Sequence, residues 1–170
     1  VVIIDDVPTA HADSNSVDEG DLVTGNVLSD GSDDVFGADG ASATTPVGGV
    51  VGVRAAGLDT TTPVLTGLET AIIGLHGTLT LAADGSYRYQ SEANDISANA
   101  PDVFVYTIQD GDGDLSTTTL TIGVKDFTLS AVDGEALVNE AGLATGSAAG
   151  SGSAVDTDGG ITGSGGTEPY

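Results

Sequence analysis

Asp110-Gly111-Asp112-Gly113-Asp114 sets three carboxylates at alternate positions, with two glycines between them. Hard cations such as Ca²⁺ take about six to eight oxygens from carboxylates, main-chain carbonyls and water. Glycine lets the backbone fold tightly enough for such oxygens to converge. The match to an EF-hand loop is partial. Its twelfth position, where a bidentate Glu belongs, holds Thr121, and no flanking helix is expected. The competing reading is a solvated acidic hairpin tip. A second acidic group is Asp5-Asp6, with Asp126 as its counterpart, and Asp18-Glu19 lies further along. If the tip lies at the same end as Asp126, oxygens of two modules can share one ion, which relieves the repulsion among clustered carboxylates. Otherwise Asp5-Asp6-Val7-Pro8 is a stiff acidic linker, its backbone limited by Pro8. The candidate Ca²⁺ ligands are therefore Asp110, Asp112, Asp114, Asp5, Asp6 and Asp126.

Other chemistries find little support. The 170 residues contain no Cys, which removes thiolate metal sites, thiol nucleophiles and disulfides. His11 and His76 are too few for a zinc cage and read as ordinary loop and strand residues. A GxSxG elbow is absent. The 26 acidic and 3 basic side chains give a net charge of −23, against the basic surface that nucleic acid requires. Arg54, Arg88 and Lys125 cannot form a polybasic membrane anchor, and no apolar run reaches the roughly 18 residues of a spanning helix. The opening VVIIDDVPTA lacks the basic start and long apolar stretch of a signal peptide.

The elements that must position the acids are strands. The chain is 39% hydrophobic, with its acids spread among Val, Ile, Leu and Thr, so it can bury a core. No window shows helical spacing of apolar residues, whereas period-2 alternation is frequent. Thr78–Leu81 and Ser86–Gln90 flank Asp84-Gly85 as a hairpin, and Val103–Gln109 joins Ser116–Val124 through the acidic turn. Phe104, Tyr106 and Ile108 share one face of their strand, with Val103 and Val105 on the other. Further strands are expected near Thr9–Val17, Leu22–Leu28, Val47–Arg54 and Ala71–Gly74. Seven or so short strands, each with one wet side, describe an all-β, Ig-like antiparallel β-sandwich.

An internal repeat sets the domain plan. A shift of 121 residues carries Asp5 onto Asp126, Glu19 onto Glu140, Leu22 onto Leu143 and Gly25 onto Gly146, and aligns VDEGDLVTG with VNEAGLATG without a gap. Residues 1–125 read as one module, and 126–170 as the start of a second, incomplete one with a Gly/Ser/Ala-rich tail. That tail has too little apolar surface to offset its ordering entropy.

The segments GNVLSD, VFGADG, GLHGTLTLAADGSYRYQ and DVFVYTIQDGDGDLSTTTLTIGV together resemble the bacterial Ig-like repeats, VCBS and cadherin-like, of giant type I-secreted RTX adhesins. The resemblance covers roughly residues 3–125. It implies a Ca²⁺-dependent tandem array on the surface of a Gram-negative bacterium, in which most copies are spacers for a terminal binding domain. It also implies Ca²⁺ at Asp110, Asp112 and Asp114 and at the junction residues Asp5, Asp6 and Asp126. The expected partners are neighbouring copies of the same module or chain, with a surface glycan or another cell as the outer target. The expected function is an extracellular spacer. The alternatives are a filament subunit, in which a strand near 127–140 or the N-terminal VVII completes a neighbour's sheet, and a module binding glycan or ice. An enzyme ranks last.

Overall fold

Period-2 alternation makes a strand with two unlike faces, and the described residues contain eight strands, several of them of this kind. The computed structural model describes residues 6–44 and 46–127. The expectations for 128–170, including the second module's first strand, lie outside the described residues, as does Asp5.

The strands are β1 (Asp13–Asp18), β2 (Leu22–Asn26), β3 (Val50–Ala55), β4 (Ile72–Ile73), β5 (Gly77–Leu81), β6 (Ser86–Ser91), β7 (Ala100–Gln109) and β8 (Leu115–Lys125). They form two four-stranded sheets, ordered β1-β8-β7-β3 and β2-β6-β5-β4. Among the described residues there is no helix. The all-β sandwich expected from the sequence is therefore present. One pair departs from the antiparallel pattern, since β1 runs parallel to β8, Asp13 opposite Leu120 through Asp18 opposite Lys125. Hairpins force neighbouring strands to be antiparallel, but β1 and β8 are joined through the whole module and are free of that constraint.

The core lies between the sheets. Leu79 and Leu81 of β5, Tyr87 and Tyr89 of β6, Phe104, Tyr106 and Ile108 of β7, and Leu120, Ile122 and Val124 of β8 are all buried at alternate positions. The Tyr89 and Phe104 rings meet edge to face across the sheets, with centroids 5.9 Å apart and planes at 68°. Such pairs add about 0.5–1.5 kcal/mol beyond the area they bury.

The far face of β7 is not wet, contrary to the simple alternation. Val105 and Thr107 are fully buried there. The chain between β3 and β4 crosses this face, and Val64 N donates to Thr107 Oγ1 at 2.9 Å. Gly52 permits the crossing, because a Cβ at that position would stand 2.3 Å from Val64 O. β1 begins at Asp13 rather than Thr9, which instead forms an isolated bridge with Val35.

Candidate metal centre

β7 and β8 pair over ten residues, from Ala100 opposite Val124 to Gln109 opposite Leu115, so Asp110–Asp114 must reverse the chain. A carboxylate at the first position of such a turn can cap the amides that follow it. Asp110 Oδ1 does so, accepting from Gly113 N at 3.0 Å and Asp114 N at 2.8 Å. Asp110 N donates to Asp114 O, and Gln109 Nε2 donates to Gly113 O. Gly113 takes φ +112, a conformation that favours glycine. Gly111 is required for a different reason: a Cβ there would lie 2.6 Å from Asp39 O. The loop before β3 thus rests on the tip, and Ala41 bridges to Asp110.

This folding brings three carboxylates together. One ligand oxygen from each of Asp110, Asp112 and Asp114 lies within 4.8 Å of the others, and among the described residues no other set of three or more acids or histidines converges so closely. Asp110 is only 1% exposed, and its Oδ2 is buried without a hydrogen-bond partner. A buried charge without a partner is costly, and a bound cation is one remedy. Asp112 is exposed and Asp114 half-buried, so the set opens to solvent on one side. Burial, followed by the charges of Asp112 and Asp110, pushes the Asp114 carboxyl above its ordinary value. An all-oxygen set of this kind suits Ca²⁺ and offers nothing to a soft metal.

The junction acids divide between the two ends of the sandwich. Asp6 Oδ2 accepts from Ala38 N at 2.7 Å, which ties it to the 37–41 loop that rests on the tip. Asp6 therefore sits at the tip's end without joining the converging triad. Asp126 is at the opposite end. The eleven residues of β8 separate it from the tip by about 35 Å at 3.3 Å per residue. The condition for sharing an ion, that the tip lie at the same end as Asp126, is thus not met within one module, because β8 is extended throughout and cannot double back. At its own end Asp126 N donates to Asn99 Oδ1, and the next amide, Phe127 N, donates to Glu19 Oε1. Glu19 Oε2 is buried without a partner, so the Asp18-Glu19 motif belongs with Asp126 rather than with the tip.

Neither histidine joins these sites. His76 pairs its ring Nδ1 with Asp95 at 2.7 Å, and its main-chain N donates to Asp102. Asp102 is a buried acid that sequence reading passed over. Leu75 N, His76 N and Tyr89 OH all donate to it. Its signal was parity, because it falls in phase with Phe104 and Tyr106.

The family model for the bacterial cadherin-like domain matches residues 5–126. No curated protein matches the chain.

Proposed function

Because the chain belongs to the bacterial cadherin-like domain family, a family of extracellular, adhesion-type modules, we propose that it serves as a Ca²⁺-stiffened spacer in a tandem adhesin. The observation that carries this reading is the tip, where three carboxylates converge and the buried Asp110 Oδ2 has no partner. Asp110, Asp112 and Asp114 hold the ion, with main-chain oxygens of the turn and water completing its shell. Asp6 at the tip's end and Asp126 with Glu19 at the other give each copy acids at both ends for a neighbouring copy. Asp5 joins that junction set through its place beside Asp6. Residues 126–170 begin the next copy, as the 121-residue repeat implies. Export through a type I, RTX-type route to a Gram-negative surface follows from the resemblance of the β5–β8 motifs, and catalysis has no part in it.

The test is calorimetric. The full chain is titrated with Ca²⁺, then melted in EDTA and in millimolar Ca²⁺. A spacer with a site at the tip binds Ca²⁺ stoichiometrically and melts higher with it, because a ligand held only by the folded state stabilises that state. Absence of heat and an unchanged melt would remove the Ca²⁺ reading. Gel filtration in both conditions supplies the second arm: a spacer fragment stays monomeric, and a ladder of assemblies would favour the filament.

A further inference from the structure

A second group of oxygens lies where β1 passes the loop after β2, around a buried tyrosine. Its centre is the Tyr106 hydroxyl. That oxygen is 2.8 Å from Asp13 Oδ2, 2.9 Å from the His11 carbonyl, 3.1 Å from Asp34 Oδ2 and 3.2 Å from the Val27 carbonyl. A tyrosine hydroxyl has one proton to donate, and carbonyls and carboxylates only accept. Four acceptors therefore compete for one hydrogen. Asp34 Oδ1 is occupied by His11 N at 2.6 Å. Asp13 Oδ1 has no partner, although Asp13 is only 4% exposed, and the neighbouring His11 Nδ1 has none either. The loop leaves room beside that orphan oxygen. Residue 31 is glycine at φ +67, and a Cβ built there would meet nothing nearer than Asp13 Oδ1, at 3.7 Å.

One buried carboxylate, that of Asp13, one half-buried carboxylate, that of Asp34, and two main-chain carbonyls converge here with too little positive charge among them. Asp30, from the same loop, is engaged nearby with Asn26 N. The oxygens are of the kinds a hard cation takes, and Ca²⁺ accepts carbonyls as readily as carboxylates in an irregular shell. We propose that Asp13 and Asp34, with the main-chain oxygens of His11 and Val27, form a second Ca²⁺ site that pins β1 to the loop after β2. It is distinct from the tip, since Tyr106 stands four residues before Asp110 on an extended strand, about 13 Å away. The tip triad is exposed on one side and local in sequence. This site is centred on the buried Asp13, is half-buried at Asp34, and draws its ligands from separate segments of the chain.

The test separates the two sites by disabling one at a time. A chain carrying Asp112→Ala and Asp114→Ala loses tip ligands while Asp110 remains. Ca²⁺ bound to it is counted by equilibrium dialysis, and Tb³⁺ is used as a luminescent substitute. Tyrosine alone can sensitise Tb³⁺, because the chain has four Tyr and no Trp, and Tyr106 lies in the proposed site. The expected result is one remaining ion, with strong sensitised emission. Adding Asp13→Asn should then weaken binding at least about tenfold and quench that emission. Asp34→Asn should do the same, and far-ultraviolet circular dichroism verifies that each variant is folded. The proposal is overturned if the tip-disabled chain binds no ion, which would mean the two carboxyls hold a proton only. It is equally overturned if folded Asp13→Asn and Asp34→Asn variants bind as before. Failure of the tip reading shows separately, as unaltered stoichiometry when Asp112 and Asp114 are removed from the native chain.

Discussion

Asp112→Asn should change the sign of its effect with Ca²⁺. In the structure Asp112 is exposed and accepts no hydrogen bond from a described residue, so its charge acts only through its neighbours. Two carboxylates have oxygens within 4.8 Å of its own. At that distance one like charge costs about 0.9 kcal/mol even at the dielectric constant of bulk water. Physiological salt, with a screening length of about 8 Å, cuts this by roughly half. Two neighbours thus leave about 1 kcal/mol of relief when the charge is removed without ion, or about 4 °C in melting temperature for a module of this size. With Ca²⁺ present the same substitution removes a ligand. A tenfold loss of affinity corresponds to about 1.4 kcal/mol, or about 6 °C less Ca²⁺-induced stabilisation. The assay is a pair of calorimetric melts for native and variant chains, in EDTA and in saturating Ca²⁺. The variant should melt above the native chain in the first and below it in the second. A variant that melts lower in EDTA, or one that keeps the full Ca²⁺ response, would refute the reasoning from geometry.

Three further outcomes are expected. Leu79→Ala, at a fully buried position of β5, should cost about 2–5 kcal/mol in urea unfolding. Gly52→Ala should cost about 1–3 kcal/mol, because its Cβ would meet the main chain of Val64 and Leu65, which has little freedom to retreat. The third concerns pH in EDTA. Burial, followed by the charges of Asp34 and Asp30, pushes the Asp13 carboxyl up to about 6 despite the opposing Tyr106 hydrogen bond. Between about pH 4 and about pH 6 the folded chain therefore holds a proton that the unfolded chain has released. Stability from this group is full below that window and falls as pH rises through it, by on the order of 3 kcal/mol in all. Urea midpoints across the window should flatten in Asp13→Asn; an unchanged slope would count against the assignment.

What was legible in the sequence was local. The hairpins over Thr78–Gln90 and Val103–Val124 appear within one residue of their expected limits, except that β7 starts three residues early at Ala100, because alternation and turn chemistry lie within a few residues of each other. The acidic tip was readable for the same reason, as its three carboxylates belong to one turn. Long-range packing was not. Nothing near Thr107 signals that Val64 will lie against it, and nothing near β1 signals a parallel partner more than a hundred residues away. Asp13 and Tyr106 are 93 positions apart, so their meeting has no local trace. Asp59 reads as a lone acid among threonines, yet it caps Thr61 N and Thr62 N.

The parallel pairing of β1 with β8 has a mechanical consequence. Parallel neighbours at the two ends of a module send the incoming and outgoing chain away in opposite directions. Tension applied through those segments then runs along the β1–β8 ladder, not across it. Six residue pairs, Asp13–Leu120 to Asp18–Lys125, share the load in shear, whereas a terminal hairpin would unzip one pair at a time. Resistance to stretching is governed by the rate of unfolding rather than by equilibrium stability. Single-molecule pulling should therefore show a rupture force that drops when Asn15→Pro interrupts this ladder, well beyond what the loss of equilibrium stability alone accounts for.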